Sequence, residues 1–173
     1  ETDPVLPPVP VLRYRLVVQT VGQGSVTVDP EQASYSQGDV VTLTATADLG
    51  WTFAGWSGDA VGAAEEITVT IVDNTAITAT FTQNAYTLAV NVVGSGSVTR
   101  DPDQTTYHYG DVVTLTATPA LGWDFGGWSG DLSGTSNSTQ VTINSNKAVT
   151  ATFTPKPVTP VSYTLTLATT GDG

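Results

Sequence analysis

The stretch "DVVTLTATA", Asp39–Ala47, alternates apolar side chains with threonine. Val41, Leu43 and Ala45 share one face of an extended chain, and the threonines between them share the other. This period-two alternation is typical of a strand with one buried and one exposed face. The β-branched residues in the stretch favour the same structure. The sequence therefore predicts a half-buried β-strand here.

The same stretch returns 72 residues later as "DVVTLTATP", Asp111–Pro119. Sliding the chain by that offset places Tyr14 on Tyr86 without a gap, and most of the aligned residues are identical. Such self-similarity indicates a repeat architecture. We assign the first repeat to residues 14–84 and the second repeat to residues 85–154.

The remaining residues fall into three short segments. Residues 1–13 and 155–162 are rich in proline, which predicts extended, semi-rigid linkers. The first residues lack the basic and apolar regions of a signal peptide, which favours a mature or excised segment. Residues 163–173 begin with Tyr163, have leucine two places on and end in Gly-x-Gly, as both repeats do at their start. We interpret them as the first strand of a third, incomplete unit.

Each repeat is predicted to be a small all-β domain. The stretches "ITVTIV" and "AITATF" follow the same alternation, and no helical period extends over eleven residues. Glycine at Gly22 and Gly24 predicts a hairpin turn between the first two strands. The chain as a whole is therefore expected to be a row of small β-sheet domains joined like beads on a string.

Charge and composition exclude several functional classes. Sixteen acidic residues against five basic ones give a net charge of −11, and no basic cluster is present to follow a phosphate backbone. Nucleic acid is therefore not an expected partner. No apolar run is long enough for a membrane-spanning helix. The lack of cysteine and methionine, with few charged residues, suits an extracellular chain.

The aromatic residues concentrate in "LGWTFAGWSGD", Leu49–Asp59, and its copy Leu121–Asp131. Small domains need large apolar side chains in the core. We therefore predict a core signature consisting of Phe53, Trp56, Phe81, Phe125, Trp128 and Phe153. Trp51 and Trp123 lie beside loop glycines, and two alternatives stay open for them. They belong to the core, or they form flat platforms on which a sugar ring stacks.

Catalytic, cofactor and metal sites are not expected. A phosphate cradle needs a helix after its glycines, and a strand follows Gly24. Asp29, Asp39 and Asp59 offer oxygen ligands for calcium, but each adjoins Pro or Gly, so we favour turn roles for them. The histidine His108 has serine as its counterpart in the first repeat, and cysteine is absent. A repeated enzyme would carry its acid–base pair in both copies.

Four motifs in succession carry a resemblance to a known family. They are "YTL…VxGxGSVT", "Y…GDVVTLTATP", "LGWxFxGWSGD" and "VTATFT", and they extend over residues 14–82 and 86–154. The chain resembles the divergent internalin-B-type B-repeat family of bacterial surface and secreted proteins. The resemblance implies a non-catalytic module with a compact, β-grasp-like sheet and an extracellular or cell-surface location.

These observations predict a structural protein that forms a surface stalk or a self-assembling filament. In the filament, the spare strand with Tyr163, Leu165 and Leu167 would pair with a sheet edge of an adjacent subunit. The alternative is an accessory module of a larger secreted enzyme or adhesin, which would bind polysaccharide through Trp51 and Trp123. The expected partners are therefore other copies of the chain or a cell-surface polysaccharide.

Overall fold

The computed structural model describes residues 11–160, 162–168 and 171. The first repeat contains eight strands: β1 (Arg13–Tyr14), β2 (Leu16–Val21), β3 (Gly24–Asp29), β4 (Tyr35–Ser36), β5 (Val40–Ala47), β6 (Trp51–Gly58), β7 (Glu66–Thr70) and β8 (Thr75–Gln83). The second repeat contains six: β9 (Leu88–Val93), β10 (Gly96–Asp101), β11 (Val112–Pro119), β12 (Trp123–Gly130), β13 (Ser138–Thr142) and β14 (Lys147–Pro155).

The first repeat is built from two three-stranded sheets, in the orders β2-β8-β6 and β3-β5-β7. In the first sheet, β8 is central and pairs antiparallel with β6 but parallel with β2. The second sheet is antiparallel, with β5 between β3 and β7. The short strands β1 and β4 form a separate antiparallel pair.

The second repeat arranges its strands in the same two orders, β12-β14-β9 and β10-β11-β13. A single bridge between Tyr86 and Tyr107 takes the place of the β1–β4 pair. No helix occurs in the parts of the chain that the structure describes. The prediction of an all-β protein with tandem small domains is confirmed.

The alternation in Asp39–Ala47 has its expected structural result. In β5, Val41 and Leu43 are fully buried, and the threonines of the strand are half-buried or exposed. Strand β8 buries Ile77, Ala79 and Phe81 in the same way. The core of the first repeat therefore lies between the two sheets, which contribute one apolar face each.

A β-bulge brings Phe53 and Trp56 to the same face of β6. These residues are three apart, so strict alternation would place them on opposite faces. The register of β6 against β8 shifts between Phe53 and Gly55, so that Phe53 lies opposite Phe81 and Trp56 lies opposite Ala79. Gly55 adopts a φ of 143°, which suits glycine. The extra residue thus lets both aromatic rings reach the core.

The predicted hairpin between the first two strands is wrong. β2 and β3 follow each other directly, but they belong to different sheets. A Cβ on Gly24 would lie 2.6 Å from the ring of Phe81, and one on Gly22 would overlap the Phe81 carbonyl oxygen. The two glycines therefore let the chain cross from one sheet to the other over the end of Phe81.

Truncation of the β5 leucine tests this core in both repeats. Leu43 and Leu115 are each 0% exposed, so we expect Leu43→Ala and Leu115→Ala each to lower the free energy of unfolding by about 2–5 kcal/mol. Urea unfolding followed by tryptophan fluorescence measures the loss. The matched control is Val40→Ala, because the Val40 side chain is 56% exposed and should cost far less. Equal losses for the control and the leucine variants would contradict the assigned core.

Candidate functional site

A surface groove lies beside the outer strands β2 and β3 of the first repeat. It has a volume of about 280 Å³. Strands β2 and β3 supply aliphatic walls, and the loop after β3 supplies a carboxylate and an amide. The lining residues are Leu16, Val18, Thr20, Val26, Val28, Glu31, Gln32 and Tyr35. The groove follows from the topology, because β2 and β3 are each the outer strand of a different sheet.

Tyr35 holds the loop that forms one end of the groove. Its ring is buried, and its hydroxyl donates to the carbonyl of Pro30 at 2.9 Å. The same oxygen accepts a hydrogen bond from the backbone N–H of Gln32 at 3.2 Å. The loop that carries Glu31 and Gln32 is therefore fixed against the core by the tyrosine.

The second repeat carries an ion pair at the matching position. Arg100 replaces Val28, and Asp103 replaces Glu31. The guanidinium of Arg100 lies 2.7 Å from a carboxylate oxygen of Asp103. Leu88 is only 4% exposed, whereas its counterpart Leu16 is half-buried. The two copies therefore present different surfaces at this position.

The tryptophan and phenylalanine side chains that the copies share make the same contacts in each copy. The indole N–H of Trp56 donates to the carbonyl of Ala64 at 2.9 Å, and that of Trp128 donates to Ser136 at 2.8 Å. The ring of Phe53 packs edge-on against Trp56 at 5.2 Å. The second repeat has an equivalent contact between Phe125 and Trp128 at 5.1 Å. These side chains build the domain.

The sequence matches the divergent InlB B-repeat domain over residues 14–85 and again over residues 86–157. The chain belongs to this family. The predicted resemblance is therefore confirmed, including its two tandem copies. B-repeats are a non-enzymatic repeat type. No curated protein matches the chain.

The core signature of the first B-repeat lies in or against its hydrophobic core. Trp56 and Phe81 are buried, and Phe53 is a half-buried ring packed against them. In the second B-repeat, Trp128 and Phe153 are buried and Phe125 is half-buried. The ring centroids of Phe125 and Phe153 are 5.5 Å apart, as are those of Phe53 and Phe81. The bulge that makes these contacts possible was not predicted.

The candidate glycan-stacking residues occupy matched, half-buried positions. Trp51 begins β6 and packs against the core of the first B-repeat. A Cβ on Gly22 would lie 2.9 Å from its ring. Trp123 has the same relation to Gly94. Each indole therefore packs partly against its own domain and is partly exposed to solvent.

Two of the aspartates considered as calcium ligands accept backbone hydrogen bonds. Asp39 accepts from the N–H of Ser36 at 2.8 Å, and Asp59 accepts from the N–H of Ala76 at 2.7 Å. Asp111 and Asp131 repeat these bonds in the second B-repeat. Within the described residues, no group of three or more His, Cys, Asp or Glu side chains is placed to hold a metal ion.

Neither His108 nor the candidate pairing segment lines the groove. The Nδ1 atom of His108 lies 2.9 Å from the carbonyl oxygen of Asn84. Residues 162–168 form no strand, and Tyr163, Leu165 and Leu167 are 90%, 84% and 77% exposed. The predicted linker residues 1–10 lie outside the described residues, as do several positions of the predicted third unit.

The described part of the chain has no helix long and apolar enough to cross a bilayer.

Sequence reasoning missed the groove because its walls come from strands whose partners cannot be deduced from alternation. Substitutions between the aligned copies, above all Val28 to Arg100, were the available signal. Once the strand partners are known, this substitution marks the position where the two surfaces differ.

The Arg100–Asp103 pair should contribute little to stability. Its side chains are 33% and 68% exposed, and exposed ion pairs typically contribute less than about 1 kcal/mol. We therefore expect a coupling free energy below that value from Arg100→Gln, Asp103→Asn and the double variant, measured by urea unfolding. Glu31→Gln in the first B-repeat is the control, because position 28 has no cation to pair with it. A coupling of several kcal/mol would contradict this surface assignment.

Proposed function

We propose that this chain is a non-catalytic structural repeat of an extracellular bacterial protein, where it forms part of a surface stalk or a self-assembling filament. We base the proposal on one observation: the residues repeated between copies make the bonds of the fold. The carboxylate of Asp39 accepts a backbone N–H at the same distance as that of its counterpart Asp111, and Asp59 matches Asp131 in the same way. The two copies therefore have in common the interactions that stabilise their fold.

The surfaces of the two B-repeats differ where a ligand site would need to agree. The groove of the first has Val28 where the second has Arg100 in an ion pair. A binding function carried by both copies would favour the same lining in each. This difference supports a structural role for the repeated unit. Its membership of a repeat family of bacterial surface proteins supports an extracellular location.

The segment Tyr163–Leu167 supports the filament form of the proposal. Its tyrosine and two leucines follow the alternation of β2, with Leu165 corresponding to Leu16, yet all three are largely exposed. An extended segment can add to a sheet edge of another molecule, with backbone hydrogen bonds for affinity and alternate side chains for register. The partner in this case is a second copy of the chain.

Electron microscopy of the purified chain over a concentration series tests the filament. We expect regular filaments at high concentration. We also expect the double variant Leu165→Asp and Leu167→Asp to abolish them, because it places charge on the pairing face. Deletion of residues 156–173 should have the same effect. Val158→Asp is the control, since Val158 is 92% exposed and lies outside the pairing segment. Particles that stay single at every concentration would overturn the filament form and leave the stalk.

The half-buried indoles favour one second candidate, a polysaccharide-binding module. The solvent-facing parts of Trp51 and Trp123 offer surfaces on which a sugar ring can stack. If this module binds glycans, soluble cell-wall polysaccharide should change the tryptophan emission, and Trp51→Phe with Trp123→Phe should remove that response. Trp56 and Trp128 remain in this variant as buried reporters. An emission unaffected by glycans would exclude this candidate.

A further inference from the structure

The first and last long strands of the first B-repeat are direct neighbours. Strand β2 pairs parallel with β8 over six positions, from Leu16 opposite Thr75 to Val21 opposite Thr80. Because the strands run in the same direction, the chain enters β2 at one end of the sheet and leaves β8 at the other. Tension applied through the two ends of the repeat therefore acts along the strands and across the hydrogen bonds between them.

Hydrogen bonds secure the chain where it enters the repeat. The backbone N–H of Arg15 donates to Oδ1 of Asn74 at 2.9 Å, and the carbonyl of Arg15 accepts from the N–H of Thr75 at 2.8 Å. The second B-repeat has both bonds at the same lengths, between Thr87 and Asn146 and between Thr87 and Lys147. The residue that precedes β2 is thus bonded to the start of β8, and the residue that precedes β9 is bonded to the start of β14.

A second set of bonds secures the chain where it leaves. The N–H of Asn84 donates to the carbonyl of Gly50 at 2.8 Å, and the hydroxyl of Thr52 donates to the Asn84 side chain at 2.7 Å. In the second B-repeat, the N–H of Lys156 makes the matching bond to the carbonyl of Gly122 at 2.8 Å. Tension applied at either end of the repeat therefore acts directly on these hydrogen bonds.

The central strand is also held by the core. Ile77, Ala79 and Phe81 of β8 are at most 2% exposed, and β6 pairs with β8 on the side opposite β2. Sliding β8 past β2 would have to withdraw these side chains from a close-packed interior. Under tension along the strands, the six paired positions and this packing resist together.

We propose that each B-repeat is a mechanical clamp, whose parallel terminal strands keep the domain folded while the chain transmits tension. The clamp is a property of the fold, and its use under load rests on the proposed stalk or filament. A clamp of this type depends on direction. Pulling across the strands from one end would break the β2–β8 hydrogen bonds one after another, whereas pulling along them loads all of them at once.

Single-molecule pulling in two directions tests the clamp in the full chain. The sequence has no cysteine, so introduced cysteines provide unique attachment points. Leu12→Cys with Gln83→Cys loads β2 and β8 along their length. Leu12→Cys with Val72→Cys uses the same first anchor but pulls β2 away from the start of β8. All three positions are exposed, so the handles should not disturb the core.

We expect the first geometry to require about twofold or more unfolding force than the second at the same loading rate, because forced unfolding reports the barrier to strand separation. Its unfolding event should release roughly 200–250 Å of chain, as expected for residues 12–83 near full extension. Equal forces in the two geometries, or a lower force along the strands, would overturn the clamp.

A third variant tests the bonds where the chain enters. Asn74→Ala removes the acceptor for the Arg15 N–H, so the force along the strands should fall. The exposed Val72 provides the matched control, because its aliphatic side chain makes no hydrogen bond and Val72→Ala should therefore leave the force unchanged. If Asn74→Ala leaves the force along the strands unchanged, the hydrogen bond from the Arg15 N–H to the Asn74 side chain is not part of the clamp. Loss of filaments in electron microscopy bears on the assembly alone, so the two proposals can fail separately.

Discussion

The packing of Phe81 in the central strand β8 is the constraint on which the rest of the first B-repeat depends. Its ring meets Phe53 at 5.5 Å, and Phe53 in turn meets Trp56 at 5.2 Å. Bringing both of those rings to one face requires the bulge in β6, and the bulge requires glycine at position 55. The Phe81 ring also leaves no space for a side chain at position 24. The bulge in β6 and the crossing of the chain from β2 to β3 therefore both accommodate the ring of Phe81.

Alternation in the sequence predicted which residues form strands and which faces are buried. The stretch Asp39–Ala47 became β5 with the expected buried face, because a period of two directly reports a surface that is apolar on one side. The same pattern says nothing about which strand lies beside which. The predicted hairpin at Gly22–Gly24 was wrong for this reason. Glycine there reports close approach to Phe81 rather than a turn between paired strands.

The details of the candidate site were harder to predict than the strands. Phe53 and Trp56 are three residues apart, and only a bulge reconciles that spacing with a shared core face. The dipeptides Ala54-Gly55 and Gly126-Gly127 were the local signal, since glycine inside a strand often marks a bulge. The groove depends on the outer strands of two sheets, so no local pattern could reveal it. Its difference from the second repeat becomes meaningful only when Val28 and Arg100 are placed on matched strands.

The sequence similarity between the copies also affects which strands pair with each other. Strands β5 and β11 share the residues VVTLTAT, so their side chains scarcely distinguish a partner within the repeat from one in the other copy. The choice then depends largely on chain connectivity. β3 reaches β5 through residues 30–39, whereas reaching β11 would close a loop through residues 30–111. The longer closure costs about 2 kcal/mol more in chain entropy. The short loops of this protein therefore favour pairing within a repeat, which the similar side chains of the duplicated strands do not specify.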